Sequence, residues 1–180
     1  MTDPALKIGL FYGSTTCYTE MAAEKIKAAL DELLGENTVD IHNIKDVPLS
    51  QAQAYDILIF GISTWDFGEL QEDWESHWDD IRPLQLKGKI VALYGLGDQL
   101  GYADWYQDAL GMLHDELQVL GCQCIGYWPN QGYEFSASKA LTSDKSQFVG
   151  LALDDENQFD QTDERIGRWT AQLIDELSAL

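Results

Sequence analysis

Residues 13–19 read "GSTTCYT", with one serine, three threonines, one glycine and no lysine or arginine. They lie between a short apolar run and a segment with helical spacing. Backbone N–H groups in the first turn of a helix, with the helix dipole behind them, hold an anion without any cation. Hydroxyls on Ser14, Thr16 and Thr19 would add donors. The Walker pattern requires a second glycine followed by lysine, and neither follows Gly13 at that spacing. That argues against a magnesium-bound nucleoside triphosphate and for a single phosphate. The plainer alternative is that the hydroxyls merely cap a helix.

Two later stretches carry aromatic residues in the company of turn residues. "ISTWDFGEL" (62–70) reads as a loop after the third apolar strand, with Trp65 at its tip between Thr64 and Gly68. "GLGDQLGYADWY" (95–106) holds three glycines and then Tyr102. Its spacing, G-x-G-x-x-x-G, misses the dinucleotide fingerprint and follows the fourth strand instead of the first. Trp74 and Trp78 are four apart, which assigns them to one helix face and the core. A flat ring stacked between Trp65 and Tyr102 would bury both its faces. Flavin mononucleotide (FMN) answers that description, and flat nucleotides fit it as well.

The elements that must position these loops are legible as apolar periods. "LKIGLFY" (6–12), "TVDIHNI" (38–44), "YDILIFG" (55–61) and "KIVALYG" (89–95) predict strands, and "CQCIGYW" (122–128) with "QFVGLAL" (147–153) predict a fifth. Helices are expected over 16–34, around Trp74, Trp78 and Ile81 up to Pro83, and through Leu110, Leu113, Leu117 and Leu120 to Gly121. A last one is expected after Thr162, with Ile166, Trp169, Leu173 and Leu177 inward. Residues 129–146 are turn-rich and read as an excursion from the sheet. Strand and helix alternate five times, which predicts an α/β fold: a doubly wound, five-stranded parallel sheet covered on both faces. Ligands of such sheets bind beyond the carboxyl ends of the strands, where all three loops fall.

A chain of 180 residues, 45% hydrophobic, suits one domain over 1–180. "MTDPALKIGL" has no basic region ahead of a long apolar run, and no stretch reaches the length of a membrane span. A cytoplasmic protein is expected. Cys122 and Cys124 are two apart in a strand, where a disulfide would be strained. His42, His77 and His114 lack ligand spacing, so no metal site is expected. Acidic residues outnumber basic ones 31 to 11, for a net charge of −20, which argues against nucleic-acid binding. No Lys or Arg lies between Lys89 and Lys139, and seven carboxylates fall between Asp66 and Asp80 with no cation. That acidity serves solubility or steers basic partners; the composition leaves both open.

Along nearly its whole length the chain resembles the long-chain flavodoxins, in "GLFYGSTTCYTE", "STWDFGELQEDW", "YGLGDQLGYADWYQDALGML", "GYEF" and "FVGLALDDENQFDQTDERI". Within that family "STTCYTEMAAEKI" and "TWDFGE" are most similar to the flavodoxin 2 subgroup. The resemblance implies strand order 2-1-3-4-5, an insertion at about 129–146 that splits strand 5, and a one-electron carrier with noncovalent FMN. It implies no catalytic residues, a flavodoxin reductase (NADPH- or pyruvate-linked) as donor, and acceptor enzymes met through the acidic face by a monomer. By the same resemblance Ser14, Thr15, Thr16, Cys17, Tyr18 and Thr19 form the phosphate loop, and Trp65 and Tyr102 sandwich the ring. The peptide of Asp66 and Phe67, with Gly68 beside it, faces flavin N5. Gly97 and Asp98 face the pyrimidine side, Glu156 lies near the ribityl chain, and Ser63, Thr64, Leu96 and Trp105 complete the contacts. The sequence departs from the family at Cys17 and Tyr18, where T-G-[KRQ]-T is usual, and at Ser63 and Asp66. An FMN-dependent quinone reductase on the same fold is the alternative; it needs a substrate pocket over a flavin that Trp65 and Tyr102 would here cover.

Overall fold

The computed structural model describes residues 6–180. The segment Met1–Ala5, part of the stretch inspected for a leader, lies outside the described residues. The chain runs β1 (Ile8–Tyr12), α1 (Tyr18–Leu34), β2 (Val39–Asn43), β3 (Ile57–Trp65), β4 (Glu69–Leu70) and α2 (Glu72–Ser76). It continues with β5 (Ile90–Leu96), α3 (Asp108–Val119), β6 (Gln123–Ile125), β7 (Trp128–Pro129), β8 (Gln147–Phe148), β9 (Leu151–Leu153) and α4 (Phe159–Ser178). The main sheet has the order β2-β1-β3-β5-β6 with parallel pairing throughout that path. β1 and β9 are buried at every position, as strands covered on both faces must be.

The fifth strand is split. β6 pairs with the first half of β5, Ile90 opposite Gln123, and β9 pairs with the second half, Tyr94 opposite Leu151. Gly126, at φ 79°, breaks the run between them. The chain then leaves to form the separate β7–β8 ribbon before it rejoins the sheet. So "CQCIGYW" and "QFVGLAL" each supply only three residues to the fifth position.

Three expectations are corrected. β3 does not stop at Gly61: it extends to Trp65 and returns as β4, pairing Thr64 with Leu70 and Trp65 with Glu69. Trp65 therefore ends a strand, and the tip is Asp66–Phe67–Gly68, closed by positive φ at Asp66 (43°) and Gly68 (84°). The helix after it is one turn and a half. α2 stops at Ser76, whose hydroxyl donates back to Glu72 O, and a 3₁₀ turn follows over Trp78–Asp80. Acidic side chains through this segment oppose the negative end of the helix dipole. Trp74 is buried, but Trp78 is only partly covered. α4 begins at Phe159, so Thr162 lies inside it; its hydroxyl donates to Asp155. Leu177 is half-buried at the far end. Among the described residues no helix is long and apolar enough to cross a membrane.

Candidate functional site

The ends of β1, β3, β5 and β9 open onto one cleft of about 230 Å³. Its walls are Thr16, Tyr18 and Thr19 at the start of α1, and Ser63, Thr64, Trp65 and Asp66 at the end of β3. Leu96, Gly97 and Asp98 at the end of β5, Tyr102 beyond them, and Asp155 and Glu156 after β9 complete it. No Lys or Arg lines it, and four carboxylates do.

Buried polar side chains hold each wall. Tyr94, wholly buried, donates its hydroxyl to Thr19 O at 2.9 Å and so pins the first turn of α1. Gln71 is also wholly buried. Its Oε1 accepts from Asp73 N and Trp74 N, capping α2, while Nε2 donates to Thr15 Oγ1 at 3.0 Å. The first loop is thereby tied to the segment after the Trp65 hairpin. Thr64 Oγ1 accepts from Ala109 N in the first turn of α3, and Trp65 Nε1 donates to Ser63 Oγ, both at 3.0 Å. Asp154, buried beneath the third loop, accepts from Gln99 N and Nε2 and from Asn157 N. Gln99 Oε1 in turn accepts from Glu134 N, which binds the 129–146 segment to this edge.

The hydroxyl-rich loop holds one unspent group. Ser14 Oγ is buried without a hydrogen-bond partner, a costly state that an acceptor arriving at the loop would relieve. Cys17 is exposed and sits at φ 69°, ψ −8° in the left-handed region just before α1. A side chain there costs about 1 kcal/mol over glycine. At the tip, a Cβ on Gly68 would lie 2.9 Å from Asp108 Oδ2 in a conformation with φ +84°, so glycine is required. Burial raises the Asp108 carboxyl, opposed by the hydrogen bond from Lys139 N. Burial likewise raises Asp155, opposed by the Thr162 hydroxyl.

Of the residues singled out in the sequence, twelve line the cleft together: Thr16, Tyr18, Thr19, Ser63, Thr64, Trp65, Asp66, Leu96, Gly97, Asp98, Tyr102 and Glu156. Ser14, Thr15 and Cys17 stand behind or outside it, and Gly68 lies at the tip. The Phe67 ring is 67% exposed and packs edge-on against Trp105 and Tyr102, at 5.0 and 6.3 Å between centroids. Neither Phe67 nor Trp105 lines the cleft. Asp155 was missed although it neighbours Glu156; an acidic pair just past a buried strand is the available signal. Gln71 and Tyr94 carry no signal of their own in the sequence.

An open, doubly wound sheet with a cation-free cleft at its carboxyl edge is the arrangement in which α/β proteins bind their ligands. The Flavodoxin family profile matches residues 10–169. Flavodoxin 2 of Escherichia coli K12 is 56% identical over 173 residues, covering 96% of this chain and 98% of that one. The flavodoxin of Synechococcus elongatus is 48% identical over 170 residues, covering 94% and 97%. Among solved structures, Fusobacterium nucleatum flavodoxin bound to flavin mononucleotide superposes with a TM-score of 0.86 at 26% identity, covering 94% and 98%. The chain belongs to the flavodoxin family, whose members transfer electrons and are not enzymes.

Proposed function

We propose that the cleft holds one FMN noncovalently and that the chain, a cytoplasmic monomer, carries single electrons at low potential from a flavodoxin reductase to acceptor enzymes. The observation that carries this reading is the composition of the cleft: Trp65 and Tyr102 line it together with the hydroxyl-rich first turn of α1. The residues fit the group. Backbone N–H groups before α1, with Thr16 and Thr19, would take the phosphate, and the unpartnered Ser14 hydroxyl would spend its hydrogen bond there. Trp65 and Tyr102 would take the two ring faces, Gly97 and Asp98 the pyrimidine edge, and Asp155 and Glu156 the ribityl side. Asp66–Phe67 would face N5.

FMN supplies a ring that accepts electrons one at a time. The chain supplies the surroundings that set where and how readily this happens. Four lining carboxylates and no cation disfavour added negative charge in the cleft, which suits a low-potential donor. Neutral donors bind the phosphate without offsetting that effect. Glycine at 68, at φ 84°, would let the tip present either an N–H or a carbonyl to the ring.

Heat-released flavin from the purified protein should chromatograph as FMN; mainly FAD, or no flavin, contradicts the reading. Exposed carboxylates Glu69 and Glu72, with Asp73 beside them, would steer a basic reductase. The second-order rate of electron transfer should then fall as the Debye length shrinks below about 10 Å. A rate indifferent to salt would leave the acidic face without that role.

A further inference from the structure

We infer that the pocket between the 129–146 segment and α4 is a second anion site, built for a small oxyanion such as phosphate or a carboxylate. Trp128, Pro129 and Gln131 form one wall of this pocket of about 90 Å³, and Gln161, Glu164, Arg165 and Arg168 on α4 form the other. It shares no lining residue with the cleft.

Arg165 is only 6% exposed, on a chain whose acidic residues outnumber its basic ones 31 to 11. Among the described residues it forms no ion pair, and neither does Arg168. The Arg165 guanidinium lies 4.2 Å from the Tyr133 ring centroid, and Nη2 donates to Gly132 O at 3.3 Å. Nη1 is buried with no acceptor at all. Arg168, three residues on and therefore on the same helix face, holds its guanidinium 5.3 Å from the Trp128 ring centroid. Two like charges are thus set side by side over aromatic rings, one of them desolvated and short of a partner. Burial of an unpaired charge is costly; an oxyanion between the guanidiniums removes the cost and supplies the missing acceptor, in the geometry arginine favours. The amides of Gln131 and Gln161 add donors, and Glu164 is the one opposing charge in the lining.

Gln158 also donates to Gly132 O, and its Oε1 is buried without a donor. A water bridging it to Arg165 Nη1 would satisfy both atoms internally, so the experiment must separate a ligand from that arrangement. Residue-resolved NMR titrations of the full chain with inorganic phosphate, and separately with acetate, at constant ionic strength do so. The expected result is saturable shifts at the Trp128 indole N–H and the Gly132 amide, distinct from any at Thr16–Thr19. Stronger binding of phosphate assigns the site to phosphate esters, and stronger binding of acetate to carboxylates. Arg168→Gln, at an exposed position, should weaken that binding at least tenfold and leave the α4 amide pattern unchanged. Shifts that grow without saturation, that chloride reproduces, or that survive Arg168→Gln undiminished would overturn the inference.

Discussion

The cleft at the sheet edge is walled by hydroxyls, backbone, two aromatic side chains and four carboxylates, whereas the pocket beside α4 sets two arginines against Trp128 and Tyr133. Both are assigned to anions, and they are made of opposite materials. Backbone dipoles can hold a phosphate while adding no net charge. A guanidinium binds an anion more strongly but also draws electrons toward any redox centre in its field. Two of the chain's three arginines, Arg165 and Arg168, lie on α4, and none lines the cleft. Net charge alone, at −20, would not have separated the two regions.

The comparison is broken most forcibly at the aromatic walls. Trp65→Ala or Tyr102→Ala should each weaken FMN binding by roughly 1–3 kcal/mol, by analogy with base stacking on aromatic side chains. Fluorescence titration of apoprotein reads this directly, and unchanged affinity in both variants places the ring elsewhere. Next comes the exchange of materials itself. Thr16→Lys puts an ammonium at the mouth of the cation-free loop, worth about 0.5–1 kcal/mol to an anion roughly 5–10 Å away in wet surroundings. FMN should bind more tightly and become easier to reduce; an unchanged midpoint potential would separate the missing cation from redox tuning.

A smaller effect is expected at Cys17. Its φ of 69° is relieved by Cys17→Gly, returning about 1 kcal/mol of strain less about 0.5 kcal/mol or more for the freer unfolded chain. Denaturant unfolding should show a net gain of a few tenths of a kcal/mol, and a loss would mean the thiol does something the backbone does not show. The slightest change is a pH dependence at Asp108 beneath the tip. Burial raises its pKa in the folded state, so its contribution to stability is fully present below its unfolded pKa of about 3.9 and is lost as pH rises through the folded value. Asp108→Asn stays neutral throughout and still accepts from Lys139 N. The variant and the parent should match in stability in acid, with the variant gaining as pH rises; a difference constant with pH would contradict the burial of a titrating carboxyl.

Much of this architecture is legible in the residues. "ILIF" and "IVALYG" are apolar runs that only a doubly covered strand can bury, and both are strands. The extension of β3 through Ser63, Thr64 and Trp65 is not legible. Those side chains are half-buried and mixed in polarity, and the turn that folds them back depends on a positive φ at an aspartate. α2 failed for a related reason: two tryptophans at helical spacing outweighed a run of acids that a helix end cannot accommodate. In the cleft, the aromatic and hydroxyl residues announce themselves by type. Gln71, Tyr94 and Asp154 do not, because their work is to satisfy backbone and side-chain groups from distant segments. Arg165 reads in sequence as one basic residue of a charged helix; only its burial and its unpartnered Nη1 mark it.

The central claim is that this cleft makes FMN a one-electron carrier, and an anaerobic reductive titration at neutral pH tests it most directly. With glycine at 68 in the tip and carboxylates lining the cleft, the account predicts two resolved one-electron steps. An organic radical should be visible by electron spin resonance at half-reduction. A single two-electron step with no radical signal, in protein shown to hold FMN, would contradict it.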